Sequence, residues 1–206
     1  MMLHKLKNNF LKELPGRKAH LEMVPENRLD SFLKEDILQI RDAKKAGVLI
    51  LLYKCLGDWY TVFIKRPLYD GVHSGQIAFP GGRYEPEDID LIATSFREAE
   101  EEIGVARQDI NFVGCLTELY IPVSNYLIQP VVGYIDYVPD FLPDREEVAG
   151  ILQVSLKNLF DLDNRSSVLI TDQDKNNFYA PCFIIGEEII WGATAMVINE
   201  FKWLCQ

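Results

Sequence analysis

The sequence predicts an α/β protein in which helices pack on a mixed β-sheet, and three observations carry that prediction. Short, dense apolar runs such as "GVLILLYKC" (47–55) are bounded by glycines, as buried strands are. Stretches with apolar residues at helical spacing precede, separate and follow those runs. The 206 residues suffice for one full core with an extension, and no repeat, low-complexity tract or linker divides them.

The elements follow in chain order. Residues 1–45 read as patches of helix, an N-terminal helical extension to a main domain over 46–206. Within that extension, "LDSFLKEDILQIRDAKKA" offers Asp30 or Ser31 as an N-cap. The run 47–55 and "DWYTVFIKR" (58–66) are separated by a turn at Gly57 and Asp58, which makes them a hairpin. A glycine- and proline-rich loop spans 67–86, and an acidic helix runs from about 89 to 103. Strands are predicted over 110–120, 126–138 and 147–156. "FYAPCFIIGEEIIWG" (178–192) is a second hairpin turning near Gly186, and a helix over 193–205 closes the chain.

Composition narrows the function. With 48% hydrophobic and 25% charged residues the chain reads as a soluble globular protein. A net charge of −10 argues against nucleic acid as the main partner, because no basic excess exists to displace counterions. A phosphorylated small molecule remains compatible if a divalent cation sits between the two sets of charge. Cys55, Cys115, Cys182 and Cys205 are scattered, which fits reduced thiols better than a disulfide framework or a zinc site. The first twenty residues lack the apolar core of a signal peptide, and no later stretch is long enough to span a membrane. The expected location is cytoplasmic.

The most informative stretch is "REAEEEIG" (97–104). Glu98 has Glu101 and Glu102 three and four residues on, where like charges repel and weaken a helix. At about 100° per residue the three share one face, opposite an apolar stripe of Ile92, Phe96, Ala99 and Ile103. Glu100 points elsewhere and is assigned to solvent, Arg97 flanks the acidic stripe, and Gly104 is placed to end the helix. The loop just upstream carries Gly75, Gly81 and Gly82, residues that let a backbone come close to a ligand. A glycine loop feeding three carboxylates is a candidate oxygen cage for Mg²⁺.

"GGRYEPEDIDLIATSFREAEEEIGV" (81–105) resembles the Nudix box, G-x5-E-x7-R-E-U-x-E-E-x-G-U with U a bulky aliphatic residue. Arg97, Glu98, Glu101, Glu102, Gly104 and Val105 match its second half, with Ala99 at the first aliphatic place. Its first half is one residue longer than the general form: counted from Gly82 the acidic place is Asp88, and counted back from Arg97 it is Ile89. The segment upstream is similar to the signature of the coenzyme A pyrophosphatase branch, with Arg66, Gly75, Phe79, Pro80, Gly81 and Gly82 in register. Ile64, Pro67 and Gly71 depart from it, Gly71 standing where the signature has a second arginine.

The resemblance implies a Nudix α/β/α sandwich that hydrolyses the diphosphate of coenzyme A or its derivatives to 3′,5′-ADP and 4′-phosphopantetheine with Mg²⁺ or Mn²⁺. It implies that Glu98, Glu101 and Glu102 bind the metal, with the carbonyl of Gly81 as a further ligand. Arg97 would fix the rotamer of a glutamate. For the general base, Glu98 is one candidate and Glu146 or Glu147, in "DREEV", is the other, with Glu147 preferred. Arg66 is expected on a substrate phosphate, with Lys65, Arg83 and Arg97 as further local cations and Gly82 in the turn. His73 is not expected in direct catalysis, and Trp191 and Gly192 are assigned to packing and turn. The expected partner is a small nucleoside diphosphate derivative. The alternatives are another diphosphate (ADP-ribose, NADH or an oxidised nucleoside triphosphate) and a nucleotide-binding module without turnover.

Overall fold

A computed structural model describes residues 2–34, 40–172 and 175–206. Its centre is an eight-stranded mixed sheet. Strand β1 (Lys44–Cys55) pairs antiparallel with β2 (Asp58–Lys65) and parallel with β7 (Tyr126–Tyr134). Beyond β7 lie β5 (Asn111–Cys115) and β6 (Leu119–Ile121), and β8 (Gly150–Ser155) adds to the far edge of β2. A second sheet contains β9 (Arg165–Thr171), β10 (Asn177–Ile185) and β11 (Glu188–Trp191), antiparallel throughout.

Both faces of the central sheet are covered, which explains why β1 reads as a continuous apolar run instead of an alternating one. Leu49, Leu51 and Tyr53 of β1, with Val62 and Ile64 of β2, pack under helix α4 (Leu91–Ile103) through Ala99 and Ile103. Ile50, Leu52 and Phe63 face the opposite core, which is closed by the short helix α5 (Leu156–Leu159) and by helix α6 (Gly192–Cys205) through Val197 and Phe201. The N-terminal helices α1 (Met2–Asn9), α2 (Gly16–Leu21) and α3 (Leu29–Leu33) join that second core through Leu6, Met23 and Phe32. Glu200, fully buried on α6, ties them in. It accepts hydrogen bonds from His20 Nε2 at 2.8 Å, Gly16 N–H at 3.1 Å and Thr117 Oγ1 at 2.7 Å.

The feature that builds the site is a parting of β1 and β2. They are paired from Leu52 and Thr61 to Cys55 and Asp58, then separate. Two short strands fill the gap: β3 (Ile77–Ala78) pairs with Ile64 and Lys65 of β2, and β4 (Gly81–Arg83) pairs with Ala46 to Val48 of β1. The carbonyl of Pro80 between them accepts from Leu49 N–H at 2.8 Å. The glycine loop is thus threaded into the sheet.

Several boundaries differ from expectation. β1 begins at Lys44 instead of 47, across the expected division between 45 and 46, whereas β2 starts at Asp58 as expected, after a turn at Leu56 and Gly57. Helix α3 is capped by neither Asp30 nor Ser31; its N-cap is Arg28, and Ser31 Oγ donates back to the Arg28 carbonyl. Residues 35–39, in the middle of that expected helix, lie outside the described residues. The strand expected over 110–120 is two strands with a break at 116–118, and 147–149 precede β8 as a turn. Strand β9 was not anticipated. Its sequence "RSSVLIT" is polar at one end and stays largely exposed along an edge, so it carries no buried-strand signal.

Helix α4 agrees with the reading more closely. Asp90 caps it by accepting from Ala93 N–H at 2.8 Å, so it starts at Leu91, and Gly104 ends it at φ 73°. Among the described residues no helix is long and apolar enough to cross a membrane.

Candidate active site

The acidic stripe of α4 is divided by its surroundings. Glu102 lies under the threaded loop, 4% exposed, and accepts from the Gly81 N–H at 2.8 Å. Glu98 is half-buried beside it, and Gly82 is the reason it fits: a Cβ at that position would stand 2.5 Å from the Glu98 carboxylate. Glu101, on the same face, turns outward, its side chain 53% exposed and held by Arg97 Nη1 at 2.8 Å. Glu147, in the turn before β8, completes the cluster instead. One carboxylate oxygen each from Glu98, Glu102 and Glu147 lie within 4.8 Å of one another. The structure brings Glu147 and not Glu146 to the helix.

Arg97 is the clamp of this arrangement. Its Nε donates to Asp88 Oδ1 at 3.0 Å, and Nη2 donates to Asp88 Oδ2 at 3.1 Å and to the Arg83 carbonyl at 3.0 Å. The same Nη2 lies 3.0 Å from Glu98 Oε1. Thr94 Oγ1 and the Glu85 N–H also donate to Asp88, and the Arg97 hydrogen bond leads in lowering the Asp88 pKa to about 2. This settles the register of the motif, because Asp88 holds the acidic place while Ile89 is 93% exposed. The extra residue is accommodated between Asp88 and the cap Asp90. Glu100 is not simply in solvent, for it pairs with Arg107.

Electrostatics favour a cation among the three carboxylates. Burial, with the charges of Glu98 and Glu147 added, raises the Glu102 pKa to about 8, and burial also raises that of Glu98. A divalent ion would remove both penalties, and three carboxylates are the hard oxygen donors that Mg²⁺ and Mn²⁺ take.

The cluster sits on one wall of a cleft of about 1200 Å³ that also contains Arg66, His73, Arg83, Arg28, Phe178 and Trp191. Lys65, expected near substrate, does not line it; it points to Glu188, with Nζ 2.7 Å from Oε1. Lys65 ends β2 and Arg66 continues it in extended form, its N–H bonded to the Gln76 carbonyl, so the two side chains face opposite ways and only Arg66 lines the cleft. Trp191 packs against Phe178 at 6.1 Å between ring centroids and also lines the cleft, a position its expected packing role did not include. Arg28 was missed, since nothing in the sequence near residue 28 marks it as cleft-facing.

A family model described as the NUDIX domain matches residues 43–170. An uncharacterised Nudix hydrolase, NudL, from Yersinia pestis (strain Pestoides F) is 33% identical over 158 residues, 76% of this chain and 77% of that protein. The chain belongs to the Nudix family. Among solved structures, a MutT/nudix family protein from Enterococcus faecalis matches with a TM-score of 0.52 at 12% identity, over 84% of this chain and 66% of that one. The NUDIX domain of Shewanella oneidensis NrtR, solved with ADP ribose, matches at 0.47 and 13% over 63% and 84%. This Nudix protein is a pyrophosphohydrolase, and Nudix hydrolases generally use divalent metal ions.

Proposed function

We propose that this Nudix hydrolase cleaves the diphosphate linkage of coenzyme A or its derivatives, releasing 3′,5′-ADP and 4′-phosphopantetheine. The observation that carries a diphosphate substrate is the meeting of Glu98, Glu102 and Glu147 on the wall of a cleft that also holds Arg66. The similarity of 64–82 to the coenzyme A signature favours that substrate over other diphosphates. Glu98, Glu102 and Glu147 would hold Mg²⁺ or Mn²⁺, with the Gly81 carbonyl as a further candidate, while Glu101 pairs with the Arg97 that also holds Glu98. The metal, when bound, neutralises phosphoryl charge and lowers the pKa of water.

The chain's own groups do the rest. Arg66 offers a fork of donors to phosphate oxygens, which a lysine does not. Gly81, Gly82 and Arg83 bring the backbone of the threaded loop to the cleft wall. Glu147, the solvent-facing carboxylate of the three, would accept a proton from the attacking water through whichever of its two oxygens the metal leaves free; the water oxygen bonds to phosphorus as a P–O bond of the bridge breaks, and the leaving phosphate takes the electron pair. Arg97 acts by position, holding Glu98 and Asp88.

The test is kcat/KM for coenzyme A, dephospho-coenzyme A, ADP-ribose, NADH and 8-oxo-dGTP at one Mg²⁺ concentration, with products identified. Coenzyme A is expected to lead. Another class preferred by about tenfold, roughly 1.4 kcal/mol of transition-state preference, would replace coenzyme A while leaving diphosphate hydrolysis in place.

A further inference from the structure

The cleft has a second charged region, opposite in sign to the carboxylates, and no part of the diphosphate chemistry needs all of it. Arg66, just after β2, His73, in the glycine loop, and Arg28, in the turn leading into α3, come from three separate segments to line the same cleft. Arg28 precedes the residues that match the family model. In a chain of net charge −10 such a gathering of cationic and donor groups is an exception to the general field.

Two of the three, Arg66 and His73, show a sign of being held for a ligand, and Arg28 is anchored beside them by the Tyr120 carbonyl, which accepts from its Nη2 at 3.4 Å. The Arg66 Nε is buried with no hydrogen-bond partner, and among the described residues no carboxylate forms an ion pair with its guanidinium. An unpartnered buried donor on a charged group is costly unless something binds it. His73 adopts φ 67°, a left-handed conformation uncommon for a residue with a side chain. Its Nδ1 lies 3.0 Å from Gln76 Oε1 and donates to it, so Nε2 faces a ligand as a donor only in the imidazolium form, which a phosphate dianion beside the ring would favour. Burial lowers the His73 pKa, and the charges of Arg66 and Arg28 lower it further, so all three groups lie within electrostatic reach. Arg66 is also near enough to Glu102 to stabilise its charge, which places it between the two regions.

We infer that Arg28 and His73 form a subsite for a phosphomonoester carried by the substrate, with Arg66 standing between it and the diphosphate that reacts at the carboxylates. This rests on the coenzyme A reading and deepens it, because coenzyme A bears such a group as its 3′-phosphate whereas dephospho-coenzyme A, ADP-ribose and NADH do not. A terminal phosphate dianion offers three oxygens, enough to engage the Arg28 guanidinium and the Nε2–H of a protonated His73 together.

The experiment compares wild type with Arg28→Gln and His73→Ala, using coenzyme A and dephospho-coenzyme A as paired substrates. In parallel, binding of 3′,5′-ADP and 5′-AMP is measured by calorimetry, with melting temperatures to verify folding. The expected result is a loss of about tenfold or more in kcat/KM for coenzyme A, mostly in KM, with dephospho-coenzyme A changed less than about twofold. The preference of wild type for 3′,5′-ADP over 5′-AMP should shrink equally in both variants. Equal losses on both substrates, or an unchanged ratio in both variants, would overturn the subsite while leaving the coenzyme A reading intact. If wild type cleaves neither substrate, the coenzyme A reading fails and the binding arm still decides: no preference for 3′,5′-ADP over 5′-AMP overturns the subsite as well.

Discussion

Asp88 is the residue whose role depends most on its neighbours. Two ways of counting the motif put either Asp88 or Ile89 at its acidic place, and the side chains decide between them: one is buried against Arg97, the other stands 93% exposed. Its pKa, lowered to about 2 from an ordinary 3.8, makes a stability statement. A depressed carboxyl contributes above the unfolded-state value and loses that contribution as pH falls through the folded-state value. Asp88→Asn should therefore cost about 2 kcal/mol near pH 7, which in a protein of this size lowers Tm by roughly 4–8 °C. The gap between variant and wild type should close as pH falls from 4 to 2. Thermal melts across that range check it, and a gap constant with pH would mean that Asp88 acts by packing. The same scale shows what sequence cannot supply. Glu101 and Glu102 are adjacent and share the helix face, yet one is half-exposed and the other buried, because the loop lies over Glu102 at Gly81 while Glu101 turns outward to Arg97.

At the scale of elements, the glycine loop and α4 form one device. Positioning Glu98 requires a backbone with no side chain at residue 82, where the contact would be with the tip of a flexible carboxylate. Gly82→Ala should therefore leave the fold intact while displacing Glu98, lowering divalent-metal affinity and cutting turnover by about 10- to 100-fold. Calorimetric Mg²⁺ titration alongside a melt tests this; a variant with native metal affinity would show that Glu98 has room to spare. The acidic helix, its apolar stripe and its glycine stop were legible because periodicity and spacing are local. The strands β3 and β4 were not, since two or three residues carry no period and their pairing depends on how far β1 and β2 part. Strand β9 escaped for a related reason: an exposed edge needs no apolar run.

Across the whole molecule, the cleft draws on Arg28, Arg66, Glu98, Glu147 and Trp191, so its assembly is a property of the topology. The motif announced one helix face of it. Glu147 stood in the sequence as one of two adjacent loop acids, and only the course of the chain after β7 brings it to α4. The buried Glu200 and its partners His20, Gly16 and Thr117 were invisible for the same reason, as each is separated from Glu200 by more than eighty residues.

The parallel pairing of Lys44–Leu52 with Tyr126–Tyr134 has a kinetic consequence. A long loop must close before those strands meet, and Glu147 lies beyond the second of them, so the entropy of closure is spent before any cation can find three carboxylates together. A divalent ion should then recognise the finished molecule and not the folding transition state. Saturating Mg²⁺ is expected to slow unfolding in stopped-flow denaturant jumps and to leave the refolding rate unchanged within about twofold. Refolding accelerated in proportion to the added stability would instead mean that the carboxylates gather early and help the chain to find its sheet.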